Sequence, residues 1–172
     1  MRLFTAVLPD DAYRQKLENL QSAMKENGAA GRYTESANLH LTLVFIGEYG
    51  NPDRIMDILR DIPAEPVCLK PLRIEKLHDM YILRFAENPG LNTIVKRIRR
   101  AFAENGIPFD GKSFLPHITL VRKVQKDLKQ YLEVPSAELV CDSVSLMRSA
   151  QGRNGSVYTE MGYTEFGGET EN

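Results

Sequence analysis

Two short stretches hold most of the residues with chemistry to offer. His40-Leu41-Thr42-Leu43-Val44 and His117-Ile118-Thr119-Leu120-Val121 repeat one pattern at an offset of 77 positions. Each alternates, so each reads as a strand with its His and Thr on one face and its Leu or Ile on the other. If the apolar face meets the core, the polar face meets water or a cleft. Two imidazoles across one cleft can divide a proton transfer, one taking a proton from a nucleophile and one giving a proton to a leaving group. The hydroxyls of Thr42 and Thr119 can donate to phosphoryl oxygens as charge builds there. That combination suits opening of a ribose 2′,3′-cyclic phosphate, whose strained ring needs only a base, an acid and oxyanion donors.

Other chemistries find less support. There is no His-Glu-x-x-His, no Asp or Glu inside either motif, and two imidazoles alone are an incomplete metal shell. Gly-x-Ser-x-Gly is absent, and neither cysteine neighbours a motif histidine in sequence. No Gly-rich phosphate loop is present. Neither a metal nor a cofactor is expected. His78, the third histidine, lies between the two halves and is read as outside the site. Arg122 is well suited as a phosphate fork, but in a regular strand its even number puts it off the face of the odd-numbered His117 and Thr119.

The elements that must position these groups repeat as well. Leu3-Phe4 falls opposite Met80-Tyr81, Leu17 opposite Ile94, and Leu69 opposite Leu146, which points to an internal duplication. Strands are predicted over 3–8, 39–46, 67–77, 80–85, 114–122, 140–146 and 157–161. Pro71 argues for an edge or bulge position. Helices are predicted from Asp10 with a stripe of Tyr13, Leu17, Leu20 and Met24, from Asn51-Pro52-Asp53, and over Leu91, Ile94, Val95, Ile98 and Phe102. A further short helix is predicted around 127–132. Polar loops are predicted at 28–36 and 149–155, and a frayed tail at 167–172. The basic residues Lys96, Arg97, Arg99 and Arg100 mostly clothe the outward face of the third helix. The pattern is α+β: one domain over 1–172 with two lobes, about 1–77 and 78–165, and no linker between them.

The totals fit that reading. A chain of 172 residues fills one core, and its net charge of −1 exerts no global pull on nucleic acid, so a polyanion must be met by a local basic cleft. Cys68 and Cys141 are read as buried free thiols in a reducing compartment. The first apolar run ends at Pro9, too short for a signal segment or a span, so a cytoplasmic monomer is expected with no membrane and no obligate protein partner.

The paired His-x-Thr-Leu motifs resemble those of the two-histidine phosphoesterase superfamily, and most closely the RNA 2′,3′-cyclic phosphodiesterases, also called the 2′-5′ RNA ligase family. The opening Arg2-Leu3-Phe4-Thr5-Ala6-Val7, the stretches LHLTLVFIG (39–47) and GKSFLPHITLVR (111–122), and Val144 to Ser149 with Gly155 and Tyr158 fit as well. The resemblance implies a bilobal fold of duplicated β-α-β-α-β lobes with pseudo-twofold symmetry around a central cleft. It implies metal-independent hydrolysis of RNA-terminal 2′,3′-cyclic phosphates to 2′-phosphates, acting on RNA ends or short oligonucleotides. Under it His40 is the proton donor, His117 the proton acceptor, and Thr42, Thr119 and Arg122 hold phosphate. The duplicated pattern leaves the two histidine roles interchangeable. Phe4 is a cleft-wall aromatic or a core residue. Tyr33 stands where the family often has a Trp and can stack a base. Three alternatives stay open: 2′-5′ RNA ligation, hydrolysis of another small cyclic phosphate, and non-catalytic binding of a nucleotide or RNA end.

Overall fold

The computed structural model describes residues 1–167; from residue 168 onward the expected tail lies outside the described residues. The chain runs β1 (Arg2–Val7), α1 (Asp11–Glu26), β2 (Ala30–Tyr33), a 3₁₀ turn (Ser36–Asn38), β3 (Leu41–Glu48), α2 (Pro52–Arg60), β4 (Val67–Leu69) and β5 (Pro71–Leu77). It continues through β6 (Met80–Phe85), α3 (Pro89–Glu104), β7 (His117–Lys126), β8 (Leu139–Cys141), β9 (Ser143–Gly152) and β10 (Gly155–Glu165).

The helices start where their caps dictate. Asp10 accepts from the Tyr13 N–H at 2.8 Å, and Asn88 accepts from the Leu91 N–H at 3.0 Å. Pro52 and Pro89 open α2 and α3, where a missing N–H costs nothing. The buried stripes are Tyr13, Leu17, Leu20 and Met24 on α1, and Leu91, Ile94, Val95, Ile98 and Phe102 on α3.

The strands form one eight-stranded sheet, β10-β9-β1-β3-β7-β6-β5, with β2 also pairing β7; β4 and β8 make a separate two-stranded ladder. The two motif strands meet at its centre through one bridge, Leu41 to Ile118, the residues that directly follow the two histidines. To either side the order is the same: motif strand, first strand of that half of the sequence, last strands of the other half. β9 pairs with β1, and β5 pairs with β6. Each side of the sheet therefore draws strands from both halves of the chain.

One face of the sheet packs Leu3, Leu41, Leu43, Ile118 and Leu120 into the main core beneath the helices. The other face carries a satellite cluster of Phe4, Ala6 and Met147, flanked by Phe45 and Tyr158.

Four local expectations change. Within 28–36 the chain forms β2, laid so close on β7 that a Cβ at Gly31 would stand 2.8 Å from the Arg122 carbonyl oxygen. Residues 149–155 are not a loop, because β9 and β10 extend through them to a tight hairpin. No helix forms at 127–132. There the Leu128 N–H bonds the Tyr81 hydroxyl and the Lys129 N–H bonds the Asn27 carbonyl, so tertiary acceptors replace helical ones. Cys68 is exposed rather than buried, because β4 turns it away from the core; Cys141 is buried, and burial pushes its thiol up to about 12. Among the described residues no helix is long and apolar enough to cross a membrane.

Candidate active site

Each motif histidine is set by its own backbone. His40 Nδ1 lies 2.7 Å from the Asn38 carbonyl, and His117 Nδ1 lies 2.7 Å from the Leu115 carbonyl, two residues back in both cases. A carbonyl only accepts, so both Nδ1 atoms carry hydrogen and both neutral rings present the Nε2 lone pair. The two then differ. His40 Nε2 lies 2.9 Å from Thr42 Oγ1, so the neutral ring accepts from that hydroxyl. His117 Nε2 has no hydrogen-bond partner among the described residues.

The segment before His40 is tied down from α1. Arg14 donates to the carbonyls of Ser36, Leu39 and Pro9, and Ser36 donates to Glu18 at 2.7 Å. On the other side, buried Gln21 donates to the carbonyls of Thr34 and Leu120 at 2.9 and 3.0 Å, and Thr34 Oγ1 donates to the Thr119 carbonyl. Helix α1 thus fixes both motif strands.

A β-bulge settles where Arg122 points. In β7 the register steps from Thr119, opposite Ile82, to Val121, opposite Tyr81, so Leu120 and Val121 both face the core. The next residue is returned to the face of His117 and Thr119. An equivalent bulge in β3, between Thr42 and Val44, places Phe45 on the cleft face at the position corresponding to Arg122. Buried Thr5 fills that bulge: its hydroxyl donates to the Val44 carbonyl at 3.2 Å and accepts from the Val44 N–H at 3.0 Å. Arg122 is exposed, lies 3.5 Å from Met80 Sδ, and has no carboxylate partner among the described residues.

A cavity of about 590 Å³ opens over this face, lined in part by Phe4, His40, Thr42, Phe45, Arg122 and Tyr158. Phe4 is 3% exposed and supports the His40 ring from 5.0 Å; Tyr158 meets that ring edge-on at 5.1 Å. Phe4 is thus both a cleft-wall and a packing residue. Tyr33 lies in an adjoining small cavity. Its hydroxyl bonds the Ala29 carbonyl at 2.8 Å, and the Lys25 ammonium sits 4.7 Å over its ring, so that face already holds a cation. His78 is exposed at the β5–β6 turn, away from the motifs.

Burial is the main force on both imidazoles. It lowers His40 to about 4, with Arg122, His117 and Arg14 pushing the same way against the Asn38 hydrogen bond. His117 is also lowered by burial, then by Arg122 and Arg84 against the Leu115 bond. At neutral pH both rings are uncharged in the open cleft, and Arg122 supplies the positive charge. Among the described residues no group of three His, Cys, Asp or Glu could hold a metal ion. Sequence reasoning assigned no site role to Phe45, which stacks on Phe4 at 6.3 Å, or to Tyr158, which meets His40; the place of Phe45 directly after the first motif was the available signal for the former.

A doubled His-x-Thr site on a sheet of exchanged strands defines a phosphoesterase class. The chain belongs to the LigT like phosphoesterase family, whose profile matches residues 7–77 and 85–158, one motif in each segment. It is 25% identical to an RNA 2′,3′-cyclic phosphodiesterase of Methanocaldococcus jannaschii over 92% of this chain and 96% of that one. It is 26% identical to the protein of the same name from Methanothermobacter thermautotrophicus over 94% and 96%. Among solved structures, TT0787 of Thermus thermophilus superposes with a TM-score of 0.74 at 27% identity, covering 99% of this chain and 100% of that one. Escherichia coli LigT superposes at 0.76 and 22% identity, covering 96% of each chain, which shows the shared fold.

Proposed function

We propose that this protein hydrolyses RNA-terminal 2′,3′-cyclic phosphates to 2′-phosphates without a metal, using His117 as base and His40 as acid. The observation that carries the assignment is the asymmetry at Nε2. His117 offers a lone pair with no protein partner, ready to take a proton from water, whereas the His40 lone pair is already engaged by Thr42. Water oxygen bonds to phosphorus as its proton passes to His117 Nε2. The bond from phosphorus to O3′ breaks, and O3′ takes the proton from His40 Nε2. Solvent then restores both rings.

His40 needs a proton for this step, and burial, helped by Arg122, holds it off. An anionic cyclic phosphate against Arg122 offsets the positive charge that adds to burial in holding protons off His40, so substrate binding favours the acid form. Once His40 is protonated, Thr42 no longer has to donate to it and its hydroxyl is released toward a phosphoryl oxygen, alongside Thr119. The relatives' names support the substrate class.

The test is turnover of an RNA oligonucleotide ending in a 2′,3′-cyclic phosphate, with excess chelator, for wild type, His40→Ala and His117→Ala. A 2′-phosphate product, with losses of about a hundredfold or more in each variant, is the expected result. No turnover by wild type, with a 2′-nucleotide still bound, would overturn it and leave 2′-5′ ligation, hydrolysis of another cyclic phosphate, or binding alone.

A further inference from the structure

Arg32 and Arg122 stand directly opposite each other across the β2–β7 ladder. Such cross-strand neighbours share a face with Cβ atoms about 5 Å apart, and like charges placed so are destabilising. Neither guanidinium has a carboxylate within ion-pair distance among the described residues, although Glu35 lies nearby. Arg32 makes no hydrogen bond there either. Both arginines line a second cavity of about 100 Å³, which adjoins the larger one and shares Arg122, Ser156 and Tyr158 with it. The larger cavity has room for a nucleoside with its cyclic phosphate. The smaller has room for little more than a phosphate group.

The small cavity is held in shape. Asn38, which orients His40 through its carbonyl, donates from its side chain to the Ser156 carbonyl at 2.9 Å, tying the motif segment to the β9–β10 hairpin. Gly155 lies in that hairpin at φ +114°, and a Cβ there would stand 3.0 Å from Arg32 Nη1. The absent side chain lets the guanidinium lie across the hairpin.

We propose that Arg32 and this small cavity bind the phosphodiester on the 5′ side of the terminal nucleotide, so that the enzyme selects RNA ends over free nucleoside cyclic phosphates. The inference rests on the reading above and names its substrate more narrowly. Two guanidiniums on neighbouring strands match two successive phosphates of one RNA strand: Arg122 meets the cyclic phosphate and Arg32 the linking one.

The test compares a nucleoside 2′,3′-cyclic phosphate with the same compound carrying a 5′-phosphate. Wild type is expected to favour the 5′-phosphorylated compound by roughly tenfold or more in kcat/KM, mainly through KM. Arg32→Gln collapses that ratio toward one, and Arg32→Lys restores part of it. Arg32 is exposed and its side chain makes no hydrogen bond among the described residues, so these variants retain the fold. A wild-type ratio near one, or a ratio that Arg32→Gln leaves intact, would overturn the proposal while leaving the hydrolase reading standing. If wild type turns over neither compound, the hydrolase reading is decided by the RNA oligonucleotide above rather than by these two. The same comparison is then made by binding, with a nucleoside 2′,5′-bisphosphate against the 2′-monophosphate. A tighter bisphosphate complex that loses its advantage in Arg32→Gln supports the site, and equal affinities reject it.

Discussion

Thr42 Oγ1 lies 2.9 Å from His40 Nε2, and because the opposite ring nitrogen donates to Asn38, the hydrogen in this contact belongs to the hydroxyl. The corresponding Thr119 makes no such bond to His117 among the described residues. Two motifs written alike are therefore in different states before any substrate arrives. That difference, and the framework that holds it, have four measurable consequences.

The first is a dependence of stability on pH. His40 titrates at about 4 when folded against an ordinary value of 6.5, so the unfolded chain binds its proton more readily. Its contribution is full above pH 6.5 and is lost as pH falls from there toward 4. The slope is at most about 1.4 kcal/mol per pH unit for one proton. His117 is lowered too and adds in the same sense. Urea denaturation at pH 7.5 and pH 5 measures the slope, and His40→Gln should flatten it.

The second concerns Arg122. Its charge pushes both imidazoles down after burial does, so Arg122→Gln should raise both titrations. Burial remains, so neither should reach the ordinary value. Proton NMR of the two rings reads this directly. Histidines that do not respond would place the guanidinium away from the cleft.

The third concerns the bulge in β3. Thr5→Val removes a hydroxyl that serves both the Val44 N–H and carbonyl in a buried position. A loss of about 1–3 kcal/mol is expected, with a matching loss of activity as Phe45 and Thr42 lose their register. Thr5→Ser keeps the hydroxyl and should recover most of both.

The fourth concerns Gln21. It bridges the Thr34 and Leu120 carbonyls from α1, and Gln21→Leu leaves both without that donor. Destabilisation of about 1–3 kcal/mol is expected by denaturant titration. Gln21→Glu should be worse at neutral pH, because a carboxylate would face two carbonyl oxygens.

Much of this was legible in the residues. The stripes of α1 and α3, the Asn-Pro starts of α2 and α3 and the doubled motif are local signals, and those elements formed where expected. Arg122 was not legible by parity. Its face depends on a bulge set by the pairing of β7 with β6, and no alternation within β7 reports that. The same cause explains 127–132. Leu128 and Leu132 carry helical spacing, but Tyr81 and Asn27 offer distant acceptors that their own segment cannot reveal. β2 was hidden because it exists only as a partner for β7. Tyr33 could be placed near the cleft, but not the Lys25 ammonium already over its ring.

The exchange of strands also governs how the chain acquires its shape. Arg2 pairs with Ser149, so during synthesis β1 waits for one of its two neighbours until β9 has been made. Neither half closes its own sheet. The N-terminal half would leave the ribosome with open strand edges and no native partner for them, a condition that favours association with other chains. Folding here is expected to be slow for a domain of this size and to occur as one event once β9 and β10 have been made. The cleft would then form only when that event is complete, because both histidines border the Leu41–Ile118 bridge.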